Sequence, residues 1–206
     1  MIERPISKYL GERVPRYTSY PTAPHFSAGV GAKFYSSWLR ALPDSARLSL
    51  YLHVPFCQSL CWYCGCHTKI PGHRDPIDRY IGTLEREIAL VSELIGGHRA
   101  VHIHWGGGTP TIVGPEAFLA TMALLRERFA VERDAEVAVE IDPRRLDAAM
   151  ASALGSARVT RASIGIQTFD PVVQRAVNRV QTMDVTKRSE ERRVGKECRS
   201  RWSPYH

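Results

Sequence analysis

The stretch LSLYLHVPFCQSLCWYCGCHT, residues 48–68, determines how the rest of this sequence is interpreted. Its opening part, residues 48–54, is rich in strand-forming residues and ends at a proline, which predicts a buried β-strand. A secreted disulfide scaffold spreads its cysteines along the fold, whereas four of the five cysteines here lie within ten residues. This cluster indicates a metal or iron–sulfur site in a reducing compartment, expected to be the cytoplasm. It consists of Cys57, Cys61, Cys64 and Cys66.

The spacing of the first three cysteines, C-x3-C-x2-C, bears on the kind of metal site. A tetrahedral zinc ion usually takes ligands from two separated chain segments, and this loop has no second cysteine pair to match it. Three thiolates in one loop can instead hold three corners of a cubane iron–sulfur cluster, which leaves the fourth iron open to a small molecule. A non-catalytic zinc-binding module is the alternative from a different class.

Outside this loop, strand and helix patterns alternate along the chain. Such alternation predicts an α/β fold with a parallel sheet and outer helices, whose active site lies after the carboxyl ends of the strands. A complete barrel needs about eight strand–helix units and roughly 250 residues. The prediction is therefore a truncated, partial TIM barrel of about four units. Its strands are expected at 48–54, 101–105, 136–141 and 159–166, and its helices at 76–95, 115–129, 144–154 and 171–180.

Both ends of the chain differ from this core. Residues 1–47 contain five prolines and one short helical pattern at 33–42, which predicts an irregular amino-terminal arm. Residues 188–206 have no apolar period and resemble the conceptual translation of a sequencing-adapter oligonucleotide. They are predicted to be a non-native read-through tail, which leaves residues 48–187 as a truncated core. A natural basic tail that binds nucleic acid is the alternative.

Charge and hydropathy exclude several classes of partner. The net charge of +7 falls to +4 without the six basic and three acidic residues of the predicted tail, so nucleic acid is not expected as a partner. The sequence has no apolar run of membrane-spanning length and no signal-peptide core at its start, so neither a membrane partner nor secretion is expected. We expect a monomer.

The cysteine loop, with Tyr63 just before its third cysteine, resembles the signature of radical S-adenosylmethionine (SAM) enzymes. Further segments narrow this resemblance to the family of oxygen-independent coproporphyrinogen III oxidases, and together they extend over nearly all of residues 1–187. They are YTSYPTA (17–23), LYLHVPFC (50–57) with the extra Cys66, HWGGGTPT (104–111), EIDP (140–143) and SIGIQTFD (163–170).

The resemblance implies an oxidoreductase of porphyrin and haem biosynthesis. That family uses SAM and a 4Fe–4S cluster to decarboxylate two propionate groups of coproporphyrinogen III, which gives protoporphyrinogen IX. A 5′-deoxyadenosyl radical removes a hydrogen atom from each propionate β-carbon, and a reducing electron donor is an implied partner. A related radical-SAM haem chaperone is the alternative, although Cys66 and YTSYPTA favour the oxidase. Because later strands are missing, we expect this chain alone to be nearly inactive.

The resemblance also implies roles for individual residues. The cluster ligands are Cys57, Cys61 and Cys64. Cys66 is implied to be a required extra thiol, with a fourth cluster ligand or a buried small residue as alternatives. The residues implied to contact SAM are Tyr51, Tyr63, Gly107, Gly108, Thr109, Glu140, Gln167 and Arg179.

Several of these roles agree with the chemistry of the side chains. Gly107 and Gly108 allow close approach of a ligand, and their N–H groups suit the methionine carboxylate. Glu140 can accept from the SAM ammonium group, and Gln167 offers both a donor and an acceptor. An ordinary core tyrosine is the alternative interpretation of Tyr51.

Two further features have competing interpretations. His102 and His104 alternate along one strand and so share a face, where we interpret them as structural histidines rather than metal ligands. Arg16 and the hydroxyl-bearing residues of YTSYPTA predict an anion-binding arm for the substrate carboxylates, with a proline-rich surface strap as the alternative.

Overall fold

The computed structural model describes residues 22–95 and 97–193. The chain divides into two compact units after Leu39. The first unit contains a short 3-10 turn, Ala23–His25, and most of helix α1, Ala32–Arg40, which lies close to the predicted helical pattern at 33–42. Arg16 and most of the YTSYPTA segment lie outside the described residues, so the anion-binding arm stays a prediction.

The second unit is built on a four-stranded parallel sheet in the order β1-β2-β3-β4. This architecture confirms the predicted α/β class and the four strand–helix units. The strands are β1 (Arg47–Val54), β2 (Arg99–Gly107), β3 (Ala130–Ile141) and β4 (Arg161–Ile164). The helices are α2 (Asp75–Ile95), α3 (Pro115–Arg128), α4 (Ala148–Ser156), α5 (Pro171–Ala176) and α6 (Met183–Arg193), and 3-10 turns occur at Pro110–Val113 and Pro143–Arg145.

One face of the sheet is apolar and carries the core. Alternate strand residues such as Leu52, Ile103 and Val139 are buried there, as the period of two requires. The ring of Trp105 lies 4.7 Å from that of Phe118 in α3. Its indole N–H donates to Met122 Sδ at 3.3 Å, which satisfies the one polar atom of this buried side chain.

The helices bury apolar faces whose spacing follows the helical repeat. Helix α2 packs against α3, and α3 packs against α4. The residues that α2 buries fall on one stripe, as the periodicity of the sequence predicts. They are Ile77, Ile81, Ile88 and Ile95.

The opposite face of the sheet is polar. His102 and His104 lie on it with their rings 5.9 Å apart, which confirms that they share a face. Each is paired with a carboxylate of β3: His102 Nε2 lies 3.2 Å from Glu136, and His104 Nε2 lies 3.2 Å from Glu140. These pairings support their interpretation as structural residues.

Several elements differ from the predicted bounds. Strand β2 is longer than the predicted 101–105, β4 is shorter than 159–166, and α5 ends before residue 180. Strand β3 begins at Ala130 rather than 136, because residues 130 and 131 pair with the start of β2 before a register shift brings Glu136 opposite His102. The helix predicted at 144–154 is divided into the 3-10 turn and α4. The division occurs at Asp147, whose carboxylate caps α4 by accepting from Met150 N at 2.7 Å.

The end of the described chain is helical. Helix α6 extends to Arg193 and so crosses the boundary predicted after residue 187. It contacts the Pro143–Arg145 turn and α4. The assignment of residues 188–206 to a non-native tail stays a prediction.

Candidate functional site

The carboxyl ends of the four strands meet around one cavity of about 320 Å³. The cysteine loop, residues 55–69, follows β1, and the glycine turn, residues 106–109, lies at the end of β2. The segments after β3 and β4 complete the wall of the cavity. All the predicted site residues except Tyr51 line this cavity. The lining residues are Cys57, Ser59, Leu60, Cys61, Tyr63, Cys64, Cys66, Thr68, Gly107, Gly108, Thr109, Glu140, Ile141, Asp142, Arg144, Ser163, Ile164, Gly165, Gln167 and Arg179.

Backbone hydrogen bonds close the cysteine loop at its base. Cys57 N donates to Lys69 O at 3.0 Å, and Lys69 N donates to Pro55 O at 2.8 Å. Within the loop, Cys64 N donates to Cys61 O at 2.9 Å. Hydrogen bonds within the protein therefore define the backbone of the loop.

The far side of the loop is held by the segment that follows α5. Trp62 N donates to Val177 O at 3.0 Å, and Asn178 Nδ2 donates to Leu60 O at 2.7 Å. Asn178 has a positive φ of 54°, which ends the helix earlier than the predicted 171–180. This turn precedes Arg179, whose guanidinium lines the cavity.

The glycine turn packs directly against the start of the cysteine loop. Gly108 N donates to Val54 O at 2.8 Å, and Thr109 N donates to Phe56 O at 2.7 Å. A Cβ on Gly108 would lie 2.5 Å from Phe56 O and 3.0 Å from Cys57 Sγ. Gly107 has a φ of +114°, a conformation that L side chains rarely adopt. Contact with the cysteine loop thus requires glycine at 108, and the backbone conformation requires it at 107.

The N–H groups of this turn already have partners. Gly107 N donates to Glu140 Oε2 at 3.2 Å, and the other oxygen of Glu140 lies 3.2 Å from His104 Nε2. The carboxylate of Glu140 remains partly exposed to the cavity. The role of Glu140 toward an ammonium group and the binding of a ligand carboxylate by the glycine N–H groups both stay predictions.

Cys57 lies beside Thr109 in a half-buried environment. Burial raises the pKa of the Cys57 thiol, and the nearby Cys64, Asp142 and Cys61 raise it further, against the hydrogen bond from Thr109. Thr109 Oγ1 donates to Cys57 Sγ at 3.5 Å. The protonated thiol of Cys57 is therefore favoured, and any metal bound there would have to displace its proton.

Cys61 is the buried member of the loop, and two guanidinium groups face its sulfur. Arg179 Nη1 donates to Cys61 Sγ at 3.5 Å, and Arg144 Nη2 donates to the same atom at 3.8 Å. Asp142 binds Arg144 through both carboxylate oxygens, at 2.9 Å to Nε and 2.6 Å to Nη2. Asp142 and Arg144 lie in or beside the EIDP segment, but neither was predicted to be a site residue.

The charge state of Asp142 follows from this pairing. Burial by itself would raise the pKa of Asp142, but the hydrogen bonds and positive charge of Arg144, together with the charge of Arg179, outweigh it and hold the pKa below its ordinary value. The same pairing raises the pKa of Arg144, although burial opposes it. An ionised pair is therefore maintained at the edge of the cavity.

Cys66 and the two predicted tyrosines have different surroundings. Cys66 lines the cavity and is largely exposed to solvent. Partial desolvation and a hydrogen bond with Cys64 raise the pKa of its thiol. Tyr63 lines the cavity beside Arg179. Tyr51 lies outside the lining on the polar face of the sheet, stacked on His104 with ring centroids 5.5 Å apart. In the part of the chain that the structure describes, Tyr51 is 58% exposed, so it is not a core tyrosine there.

The donor set fits an iron–sulfur cluster. Cys57, Cys61 and Cys64 are free thiols that line the same cavity, and hydroxyl and guanidinium donors face two of their sulfurs. Among the residues that the structure describes, no three His, Cys, Asp or Glu side chains are grouped closely enough to hold a single metal ion. A cubane distributes its ligands over separate iron atoms, so its thiols need only surround a common space.

Within residues 22–95 and 97–193, none of the helices combines the length and apolar character needed to cross a bilayer.

Comparison with known proteins gives consistent matches. Residues 51–192 match the sequence profile of the Radical SAM superfamily. The oxygen-independent coproporphyrinogen III oxidase of Bradyrhizobium diazoefficiens is 58% identical over 179 residues, which are 86% of this chain and 40% of that protein. The enzyme of the same name from Escherichia coli is 41% identical over 167 residues, which are 81% of this chain and 36% of that protein.

A solved structure gives the same match in three dimensions. The structure of coproporphyrinogen III oxidase from Escherichia coli, described as a radical SAM enzyme, superposes with a TM-score of 0.81 and 37% identity. The superposition covers 86% of this chain and 41% of the solved chain. The chain thus spans about two fifths of the length of the relatives it matches.

Proposed function

Because the chain belongs to the radical SAM superfamily, we propose that its cysteine loop holds a 4Fe–4S cluster and that SAM binds in the adjacent cavity. The observation that carries this proposal is the meeting of three free thiols, the glycine turn and Glu140 around one space of about 320 Å³. That volume lies within the range of about 300–1,000 Å³ that is usual for small-molecule sites.

The residues around the cavity divide into two groups in this proposal. Cys57, Cys61 and Cys64 ligate the cluster, which, with one iron free of protein ligands, supplies the electron for reductive cleavage of SAM. The second group binds SAM: the partly exposed Glu140 accepts from its ammonium group, and Thr109 and Gln167 offer polar groups to the same ligand. Tyr63, Gly107, Gly108 and Arg179 complete the proposed SAM contacts in the cavity. Tyr51 is proposed to reach SAM from the polar face of the sheet, outside the cavity lining.

For the whole protein we propose oxygen-independent oxidation of coproporphyrinogen III to protoporphyrinogen IX. The identities of 58% and 41% to oxidases of that name support this substrate. In this proposal Cys66 supplies an additional thiol near the reacting groups, where it is exposed at the cavity. The four free thiols also favour a reducing compartment, proposed to be the cytoplasm, and a reducing electron donor as the partner.

The cofactor part of the proposal is tested by anaerobic reconstitution of the chain with iron and sulfide. We expect a brown protein whose reduced cluster gives a low-temperature EPR signal that changes when SAM is added. Cys61→Ala should abolish the signal, whereas Cys66→Ala, the matched control, should retain it. A colourless protein that contains one zinc ion per chain would overturn the cluster and favour the zinc module.

The substrate part is tested in a chimera. The 179 aligned residues of this chain replace their counterpart in the 58% identical Bradyrhizobium diazoefficiens enzyme, which supplies the remaining three fifths of the protein. We expect anaerobic formation of protoporphyrinogen IX from coproporphyrinogen III, with SAM consumed. A folded chimera that binds the cluster and haem tightly but leaves coproporphyrinogen III unchanged would contradict the oxidase and favour the haem chaperone.

A further inference from the structure

The two guanidinium groups at Cys61 form an arrangement that the proposed reaction does not itself require. Arg144 comes from the 3-10 turn after β3, and Arg179 follows α5, yet both donate to the sulfur of Cys61. Their side chains are only 14% and 11% exposed. Two cations are thus directed from different elements at one buried sulfur.

Asp142 fixes the orientation of Arg144. Its two oxygens bind Nε and Nη2 of Arg144 in a bidentate pair, and it lies 3.9 Å from Arg179 Nη2. Arg179 is held independently, because its Nη2 donates to Gly165 O at 2.7 Å. The geometry is therefore set by groups outside the cysteine loop.

A structural role alone does not explain the position of Arg144. The turn Pro143–Arg145 is already closed by Asp142, which accepts from Arg144 N at 3.1 Å and so caps it without the guanidinium. Arg145, the next residue of the same turn, is exposed to solvent. Arg144 instead extends toward the cavity, where its Nη2 reaches Cys61 Sγ across 83 residues of sequence.

We propose that Arg144, held by Asp142, is a positioning residue that raises the reduction potential of a cluster ligated by Cys61. The inference rests on the proposed cluster. Reduction adds negative charge to such a cluster, and hydrogen bonds and positive charge at a ligand sulfur stabilise the reduced form. Arg144 supplies both at Cys61 and leaves the open iron to SAM.

The test is an EPR-monitored redox titration of the reconstituted chain without SAM, so that a lost SAM contact cannot imitate the effect. Arg144→Met removes the charge and keeps most of the volume. We expect its equilibrium constant for reduction to fall about tenfold, equivalent to about 59 mV for one electron. Arg144→Lys keeps the charge without the bidentate geometry and should fall between Arg144→Met and wild type.

Arg145→Met is the matched control, because it removes the same charge from the exposed neighbouring position. It should leave the equilibrium constant within about twofold of wild type. Equal values for Arg144→Met and Arg145→Met would overturn the inference while leaving the cluster itself intact. If Arg144→Met binds no cluster, Arg144→Lys decides: a value below wild type supports the inference, and an unchanged value overturns it. A wild-type chain that binds no cluster would overturn this inference and the proposed function together.

Discussion

Gly108 lies where the turn after β2 touches the cysteine loop. A methyl group there would lie 2.5 Å from Phe56 O, which is backbone and cannot rotate away. We expect Gly108→Ala to lower the free energy of unfolding by about 1–3 kcal/mol, as overpacking usually does. The same variant should bind less iron after reconstitution, because its Cβ would also lie 3.0 Å from Cys57 Sγ. Urea denaturation and iron analysis measure the two effects.

Gly155→Ala is the control for this substitution. Gly155 lies within α4 and has no heavy atom within 4 Å of a built Cβ. Alanine there should stabilise the chain by roughly 0.5–1 kcal/mol through helix propensity. Equal stability and iron content in the two variants would show that contact between the loops is not what requires glycine at 108.

Asp142 gives the stability of the chain a dependence on pH. Because its pKa is lowered in the folded chain, its contribution is fully present above the unfolded value of about 3.8 and is lost as the pH falls through the folded value. We expect Asp142→Asn to cost about 1.5–3 kcal/mol near pH 7, as lost hydrogen bonds to a charged group do. The difference from wild type should shrink below about pH 4.

Urea denaturation at several pH values between 3 and 7 measures that difference. Asp44→Asn, at an exposed position in the loop before β1, is the control for removal of a carboxylate. A difference between wild type and Asp142→Asn that stays constant down to pH 3 would contradict the ionised pairing of Asp142 with Arg144.

Single residues of the site were predictable only where residues of the same chemistry lie close together in the sequence. Cys57, Cys61 and Cys64 could be identified because one short loop carries all three thiols. Arg144 could not, because its relation to Cys61 spans 83 residues and depends on the register of the sheet. The glycine turn was located correctly, but its contact with Phe56 and Cys57 follows only from the packing of two loops.

At the scale of elements, the early end of α5 shapes the site. Asn178 adopts a φ of 54° and donates to Leu60 O, so it both turns the chain and holds the cysteine loop. Asn178→Gly keeps the turn and loses the bond, at a cost of about 0.5–1.5 kcal/mol. Asn178→Ala loses the bond and adds the left-handed penalty of about 1–2 kcal/mol.

Urea denaturation gives the two stabilities, and limited proteolysis reports on the cysteine loop. Both variants should be cleaved faster in that loop than wild type. Arg158→Ala, at the other described non-glycine residue with positive φ, 56°, keeps a Cβ in the left-handed conformation and should leave cleavage of the cysteine loop at the wild-type rate. Equal loop cleavage in all three variants would contradict a specific role for Asn178.

The strands and helices were predictable to the extent that their apolar period is uninterrupted. Helix α2 matches its predicted bounds within one residue, because its buried isoleucines repeat at helical spacing. Strand β3 was predicted too short, since the charged residues around its register shift conceal the pairing of residues 130 and 131. The division of the helix predicted at 144–154 depends on Asp147, a capping residue that an apolar pattern alone does not reveal.

At the scale of the whole molecule, we expect this chain to bind its cofactors without completing the reaction. It spans about two fifths of its relatives, and its described sheet has four strands. We expect the reconstituted chain alone to bind the cluster and SAM but to form less than about a hundredth of the protoporphyrinogen IX formed by the chimera, per cluster. Comparable turnover by the chain alone would show that four strand–helix units suffice for the complete reaction.

The bonds from Val177 and Asn178 to the cysteine loop also bear on protein synthesis. Leu60 and its partner Asn178 are 118 residues apart, so a ribosome must translate almost the entire described segment before the loop acquires its outer support. A nascent chain that has been translated only as far as the cysteine loop also lacks the guanidinium groups of Arg144 and Arg179. We therefore expect stalled translation products that lack these residues to be poor acceptors of the proposed cluster.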